Sequence, residues 1–256
     1  MEKATTHQLL AREWVKELKQ KTLEQNLSSV LAPYSPDERE SLARCFFHES
    51  KELILKGESK AFEVFELARK MAPLSSKLQY EQGLFLFNYA FHKESEKYLL
   101  LALKHVEKAS QMDPTDFEAC YLAAEIQTHL GLAFHEPQYF HDADQRYKKA
   151  ELLTLQRERD ALPHFYWDWG LSCYFLSKHS GEAVDVHAAL GKFEKVRSED
   201  SLFLRDYGNA WAYMGHLIED PRYIQKSLLY YQKAVPPRIQ AHVYRYKYSG
   251  FSARGV

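Results

Sequence analysis

The chain has 256 residues, a formal charge of −1 and 45% hydrophobic residues. This length allows one elongated domain or two small ones with a sizeable core, and the composition is that of a soluble globular protein rather than a disordered one. The near-neutral charge excludes a general attraction to nucleic-acid backbones or anionic lipids. Ten glycines and nine prolines are few for an all-β protein built on turns.

The first 31 residues predict an amphipathic helix over 6–31, with Thr6 as its cap. Lysines and glutamates lie opposite an apolar stripe of Leu9, Leu10, Trp14, Leu18, Leu23, Leu27 and Val30. This charged start is unlike a signal peptide, and no run of 18 apolar residues predicts a membrane span. We therefore expect a cytoplasmic protein, although secretion by a route without a cleaved signal stays open.

The three cysteines are expected to be packing residues rather than metal ligands or disulfide partners. Cys45, Cys120 and Cys173 are odd in number and far apart, and the sequence contains no CxxC pair. Neither a zinc site nor a disulfide framework is indicated. Small buried apolar roles in a reducing compartment are the expectation.

A pattern of small and aromatic residues recurs along the chain. Gly170 lies in "YWDWGLSCY", and Ala189 follows 19 residues later, with Phe193 four residues after that. The same interval of 19 residues links Gly83 to Ala102, Ala124 to Ala143, and Gly208 to Ser227. Small, large and small residues at intervals of four and three form one stripe on an α-helix. Each unit is therefore expected to be a pair of helices, in which Gly170 lets its partner helix approach.

A fainter copy of the second helix runs through Ala61, Phe65, Ala68 and Pro73. Turn-forming residues separate the two helices of a unit in "HKES", "FHEPQYFHD", "KHSGEA" and "IEDPRY". Asp113, Asp142 and Asp220 are expected to be capping or turn residues there. Prolines separate successive units, at Pro73, Pro114, Pro163 and 236–237.

These quoted segments resemble the tetratricopeptide repeat (TPR) family over about residues 40–237. The units span about 41 residues, longer than the 34 that the family usually has. The resemblance implies an all-α fold: an α-solenoid of antiparallel helix hairpins in a right-handed superhelix, with first helices lining a concave face. The expected organisation is a capping helix over 1–35, about five hairpins over 36–237, and an incomplete further repeat or tail over 238–256. "VYRYKYSG" would begin that last repeat, with Gly250 in the glycine position.

First-helix residues off the packing stripe are expected to line a partner-binding groove. They are Lys77, Tyr80, Leu84, Phe87, Glu118, Tyr121, Glu125, Thr128, His164, Trp167, Leu171, Tyr174, Arg205, Asn209 and Ala212. Tyr166 and Trp169 are expected on the inward stripe of Gly170 instead. Aromatic residues and Arg supply most of the binding energy at protein interfaces, so an extended peptide or a helix with apolar anchors is the expected ligand.

Arg205 and Asn209 resemble the carboxylate-holding pair of chaperone-binding members of the family. The corresponding places in earlier units hold Tyr80, Tyr121 and Trp167, so a complete carboxylate clamp is not expected.

Catalytic and metal-binding motifs are missing from the sequence. No HExxH, GxSxG, P-loop or GxGxxG occurs, and the histidines do not share one helical face at ligand spacing. We therefore expect no cofactor, no metal and no enzymatic activity.

The leading hypothesis is a non-catalytic protein-interaction scaffold, with a chaperone or assembly factor as one form of it. A helical-repeat RNA-binding protein is the alternative, which Glu118 and Glu125 in the expected lining disfavour. An enzyme with a helical-repeat fold ranks third.

Overall fold

The computed structural model describes residues 27–57, 61–156 and 164–234, together with Ala11 and Glu13. Most of the expected capping helix over 6–31, including Thr6, lies outside this range. Pro163 and the expected incomplete repeat over 238–256 also lie outside it. The described residues form helices and no strands, which confirms the all-α fold class.

Eleven helices cover the described part of the chain. They are α1 (Leu27–Leu31), α2 (Pro36–Leu55), α3 (Ala61–Met71), α4 (Ser76–Lys93), α5 (Glu96–Met112), α6 (Phe117–Phe134), α7 (Pro137–Gln156), α8 (Phe165–Ser180), α9 (Ala183–Phe193), α10 (Ser201–Leu217) and α11 (Pro221–Lys233). Helix α2 packs on α3, α6 on α7, α8 on α9, and α10 on α11. Adjacent helices therefore form hairpins, as the repeated pattern predicts.

Prolines and short polar side chains fix where several helices begin. Pro36, Pro137 and Pro221 each open a helix, where a missing N–H costs nothing. Asp220 caps α11 by accepting a hydrogen bond from the backbone N–H of Arg222 at 2.9 Å, as predicted.

The expected break "FHEPQYFHD" is shorter than the sequence indicated. Because α7 begins at Pro137, Asp142 lies inside a helix and accepts a hydrogen bond from Gln138 Nε2 at 2.8 Å. The prediction that Asp142 caps a helix or forms a turn is therefore wrong.

The chain divides into two compact units, residues 1–85 with 108–114, and residues 86–107 with 115–256. In the first unit, Phe47 and Phe65 are buried and their rings meet edge to face at 5.6 Å. In the second unit, a core of aromatic side chains joins the hairpins α6–α7, α8–α9 and α10–α11. Its central contact is a stack of Tyr147 on Trp169, with ring centroids 5.7 Å apart.

The close contacts of Gly170 and Gly208 explain the repeated glycines. A Cβ atom placed on Gly170 would lie 2.6 Å from the ring of Phe193, and one on Gly208 would lie 2.8 Å from the ring of Tyr231. Each ring therefore occupies the space that a side chain on the first helix would need. The prediction that Gly170 is a packing position is confirmed.

A second close approach lies two helical turns further along α6 and α10. A Cβ on Gly131 would meet Phe140 at 2.7 Å, and one on Gly215 would meet Ile224 at 2.7 Å. This second pair of close contacts was not predicted, although a small residue seven positions after the first is present in both α6 and α10.

Candidate partner-binding face

The first helices α6, α8 and α10 carry most of the side chains that were expected to bind a partner. We call the surface that these three helices present away from α7, α9 and α11 the first-helix face. Helix α8 contacts both α6 and α10, so the three helices are neighbours.

The structure buries five of the predicted lining residues. They are Phe87, Tyr121, Thr128, Trp167 and Leu171. The others are exposed or half-buried, namely Lys77, Tyr80, Leu84, Glu118, Glu125, His164, Tyr174, Arg205, Asn209 and Ala212. The expectation of an open lining is therefore wrong for the five buried side chains. For the accessible ones, partner binding stays a prediction.

Hydrogen bonds between successive first helices account for the burial of Tyr121 and Trp167. The Tyr121 hydroxyl donates to Asp168 of α8, and the Trp167 Nε1–H donates to Asp206 Oδ2 of α10 at 3.2 Å. In both cases an aromatic donor of one hairpin meets a carboxylate of the next. Buried polar groups need such partners, so these side chains join the hairpins to one another.

Edge-to-face contacts with neighbouring aromatic rings also hold Tyr121 and Trp167 in place. Trp167 meets Phe203 edge to face at 5.6 Å, and Tyr121 meets Phe165 edge to face at 5.5 Å. Burial and the neighbouring carboxylates of Asp168 and Glu125 raise the pKa of Tyr121, so its hydroxyl stays protonated and can donate. The sequence prediction that Trp167 leaves the stripe of Gly170 holds, but the side chain points into the next hairpin.

The other three buried residues have local roles. Phe87 packs between Phe91, at 5.0 Å, and His129, at 5.4 Å. The Thr128 hydroxyl donates to the Ala124 carbonyl at 3.0 Å, which is a common way to bury threonine in a helix. Leu171 is 5% exposed and belongs to the aromatic core.

The accessible part of the face centres on two tyrosines. Tyr174 of α8 and Tyr213 of α10 meet edge to face at 6.1 Å, and both are half-buried. The Tyr213 hydroxyl donates to the Ser177 carbonyl at 3.2 Å, which fixes its ring. The Lys178 Nζ lies 3.5 Å from the Tyr213 ring centroid, close enough for a cation–π interaction. Burial lowers the pKa of Lys178 and, with nearby phenols and Asp206, raises the pKa of Tyr174 to about 12.

A nearly buried carboxylate lies between the same two helices. The Asp206 side chain is 14% exposed, and its Oδ1 lies 3.6 Å from Arg205 Nη2. Burial raises the pKa of Asp206 to about 6, although Arg205 and the hydrogen bond from Trp167 lower it. One turn further along α10, Asn209 Oδ1 accepts a hydrogen bond from the Tyr231 hydroxyl at 2.7 Å.

The cysteines offer little nucleophilic character. Burial raises the pKa of Cys173 to about 12, and burial also raises the pKa of Cys45. Cys120 and Cys173 are buried, as predicted, whereas Cys45 is half-buried. A thiol attacks as its thiolate, so these groups are poorly suited to attack at neutral pH.

Two further features bear on other activities. Among the described residues, His, Cys, Asp and Glu side chains form no group of three that could hold a metal ion. A cavity of about 500 Å³ lies along α2 in the first unit, lined by Asp37, Glu40, Ser41, Arg44, Cys45 and His48. Its Arg44 is already paired with Glu81 of α4.

Within the described residues, no helix combines the length and apolar character needed to cross a membrane.

Comparison with known proteins identifies a fold. No protein-family model matches the chain, and no curated protein matches it in sequence. A similar solved structure is the crystal structure of MamA protein, with a TM-score of 0.53 and 16% sequence identity. The match covers 76% of this chain and 98% of that chain. At this identity the likeness concerns the fold alone, and it supports a TPR-like helical-repeat fold.

Proposed function

We propose that this protein is a non-catalytic protein-interaction scaffold that binds a partner peptide or helix along the first-helix face. The observation that carries the proposal is the pair of half-buried tyrosines, Tyr174 and Tyr213, presented side by side on two packed helices. Arg205 and Asn209 lie on the same helix as Tyr213. Tyrosine and arginine are the residue types that most often dominate protein interfaces.

The side chains of this face are held in place before any partner binds. The Tyr213 ring is fixed by its hydrogen bond to Ser177 and by the Lys178 ammonium above it. Asn209 is held by Tyr231. A side chain that is already ordered loses little entropy on binding, so more of the contact energy goes into affinity.

The chemistry of the described titratable groups supports a non-catalytic role. Two strongly shifted tyrosines serve structural contacts: Tyr121 bonds Asp168, and Tyr207 packs on Tyr230 at 4.4 Å. The thiols of Cys173 and Cys45 are held protonated at neutral pH by burial. The half-buried groups that remain on the first-helix face are suited to recognition.

Selection of peptides from a phage-displayed random library tests the proposal. We expect wild-type protein to enrich peptides with apolar or aromatic residues, and Tyr174→Ala to weaken their binding at least about tenfold. Tyr139→Ala is the matched control, since Tyr139 is a half-buried tyrosine of α7, a second helix. Equal loss in both variants, with helicity unchanged in circular dichroism, would place binding outside the first-helix face.

The same variants decide between a protein ligand and RNA. A fluorescein-labelled single-stranded RNA should bind weakly and lose that binding with added salt. Tight RNA binding that Tyr174→Ala abolishes, without any enriched peptide, would reverse the proposal in favour of a helical-repeat RNA-binding protein.

A further inference from the structure

We infer that Asp206 forms a subsite for a cationic side chain, Lys or Arg, of the partner segment. This inference rests on the proposed function, because it names the chemistry of one contact within the same face. The carboxylate lies between α8 and α10, near Tyr174.

The two carboxylate oxygens of Asp206 have different partners. Oδ2 accepts the hydrogen bond from Trp167 Nε1 at 3.2 Å, which sets the orientation of the group. Oδ1 lies 3.6 Å from Arg205 Nη2, an ion-pair distance longer than an ordinary hydrogen bond. An ionised carboxylate accepts several hydrogen bonds, and the Asp206 side chain is 14% exposed, so Oδ1 can accept another from a partner cation.

Arg205 does not neutralise this carboxylate fully. Its side chain is 58% exposed, so water competes for its guanidinium. The pKa of Asp206 stays at about 6 even though Arg205 lowers it, which means that burial outweighs the ion pair. A partner cation that reached Oδ1 directly would supply the missing compensation.

The surroundings suit an alkylammonium or guanidinium group. Asp206 is among the charges that raise the pKa of Tyr174, so the phenol lies near the carboxylate and stays neutral. Its ring already takes a cation–π contact from Lys178, whose Nζ lies 5.4 Å from the ring centroid. The charged and titratable groups near Asp206 are Arg205 of α10, Asp200, which precedes α10, and Tyr174 of α8, with the indole of Trp167 also on α8.

The subsite makes partner binding dependent on pH. Only the ionised carboxylate attracts a cation, so affinity should rise as the pH rises towards about 6 and level off above it. Below that point, affinity should fall by up to about tenfold for each pH unit. Cation binding should in turn lower the pKa of Asp206, which moves the curve to lower pH when the partner is present.

The experiment uses the full chain and a phage-displayed library of random peptides. We expect the enriched peptides to contain Lys or Arg next to apolar residues. Asp206→Asn keeps an acceptor for Trp167 but removes the charge, and should weaken these peptides at least about tenfold and remove the pH dependence.

Each alternative result has one meaning. Peptides enriched in Asp or Glu, weakened by Arg205→Ala, would overturn the inference in favour of an anion-binding subsite. Peptides that require Tyr174 but bind Asp206→Asn equally well from about pH 5 to about pH 8 would refute the subsite and leave the scaffold intact. Selection on wild-type protein that enriches no peptide would refute the proposed function and the subsite together.

Discussion

Replacement of Gly170 by alanine tests the origin of the repeated glycines. In an ordinary exposed helix the change would stabilise the protein by about 1 kcal/mol, because alanine has the higher helix propensity. In α8 the added methyl would lie 2.6 Å from two ring carbons of Phe193. Carbon atoms normally approach to about 3.5–4.0 Å, so the ring or the helix must move.

The ring of Phe193 has little room to move. It is 1% exposed and packs against Phe203, at 6.0 Å, and Tyr207, at 5.6 Å. Overfilling such a core costs about 1–3 kcal/mol. After subtraction of the propensity gain, Gly170→Ala should lower the free energy of unfolding by up to roughly 2 kcal/mol.

Gly191→Ala is the matched control. Gly191 is exposed and lies in α9, and a Cβ there would meet nothing within 4 Å. This variant should be as stable as the wild type or up to about 1 kcal/mol more stable. Urea unfolding followed by circular dichroism and tryptophan fluorescence measures both, and the two probes also reveal any separate unfolding of the hairpins. If Gly170→Ala stabilised the protein as much as Gly191→Ala does, the packing explanation would be refuted.

Three other predictions concern stability. Asp206 has a folded-state pKa of about 6 against an ordinary 3.8, so the folded state binds its proton more tightly than the unfolded state does. The free energy of unfolding should therefore fall as the pH rises from 3.8 to about 6, by about 3 kcal/mol at most. Asp206→Asn should flatten this slope in urea unfolding at a series of pH values, and an unchanged slope would contradict the assignment. Tyr121→Phe removes a hydrogen bond to the buried carboxylate of Asp168 and should cost about 1–3 kcal/mol, whereas a cost near zero would mean that the bond adds nothing to the packing. Asp116 caps α6 through the N–H groups of Glu118 and Ala119, so Asp116→Ala should cost about 1 kcal/mol in thermal unfolding and Asp116→Ser much less.

The prediction of helix hairpins succeeded because its signal is local. A stripe of small and large residues with a 3.6-residue period specifies one face of a helix, and a constant interval between stripes specifies the partner helix. The glycine that precedes Phe193 by 23 residues could therefore be assigned to packing from spacing alone. The fold of the described residues follows from such short-range patterns.

The accessibility of the predicted site residues could not be inferred from the same patterns, because burial depends on the neighbouring hairpin. Trp167 and Tyr121 lie off the packing stripe of their own hairpin, which made them candidates for an open face. Their hydrogen-bond partners, Asp206 and Asp168, lie 39 and 47 residues further along the chain. No helical periodicity connects positions that far apart, so only the tertiary structure could pair them.

The sequence by itself determined that the chain forms helix hairpins and which stripe joins the two helices of a hairpin, because both depend on spacings within one or two helices. The tertiary structure decided which first-helix side chains stay accessible, because that depends on how hairpins pack on one another. It removed Tyr121 and Trp167 from the accessible surface and left Tyr174 and Arg205 on it, since the next hairpin supplies a carboxylate to the first pair and leaves the second pair partly open to solvent.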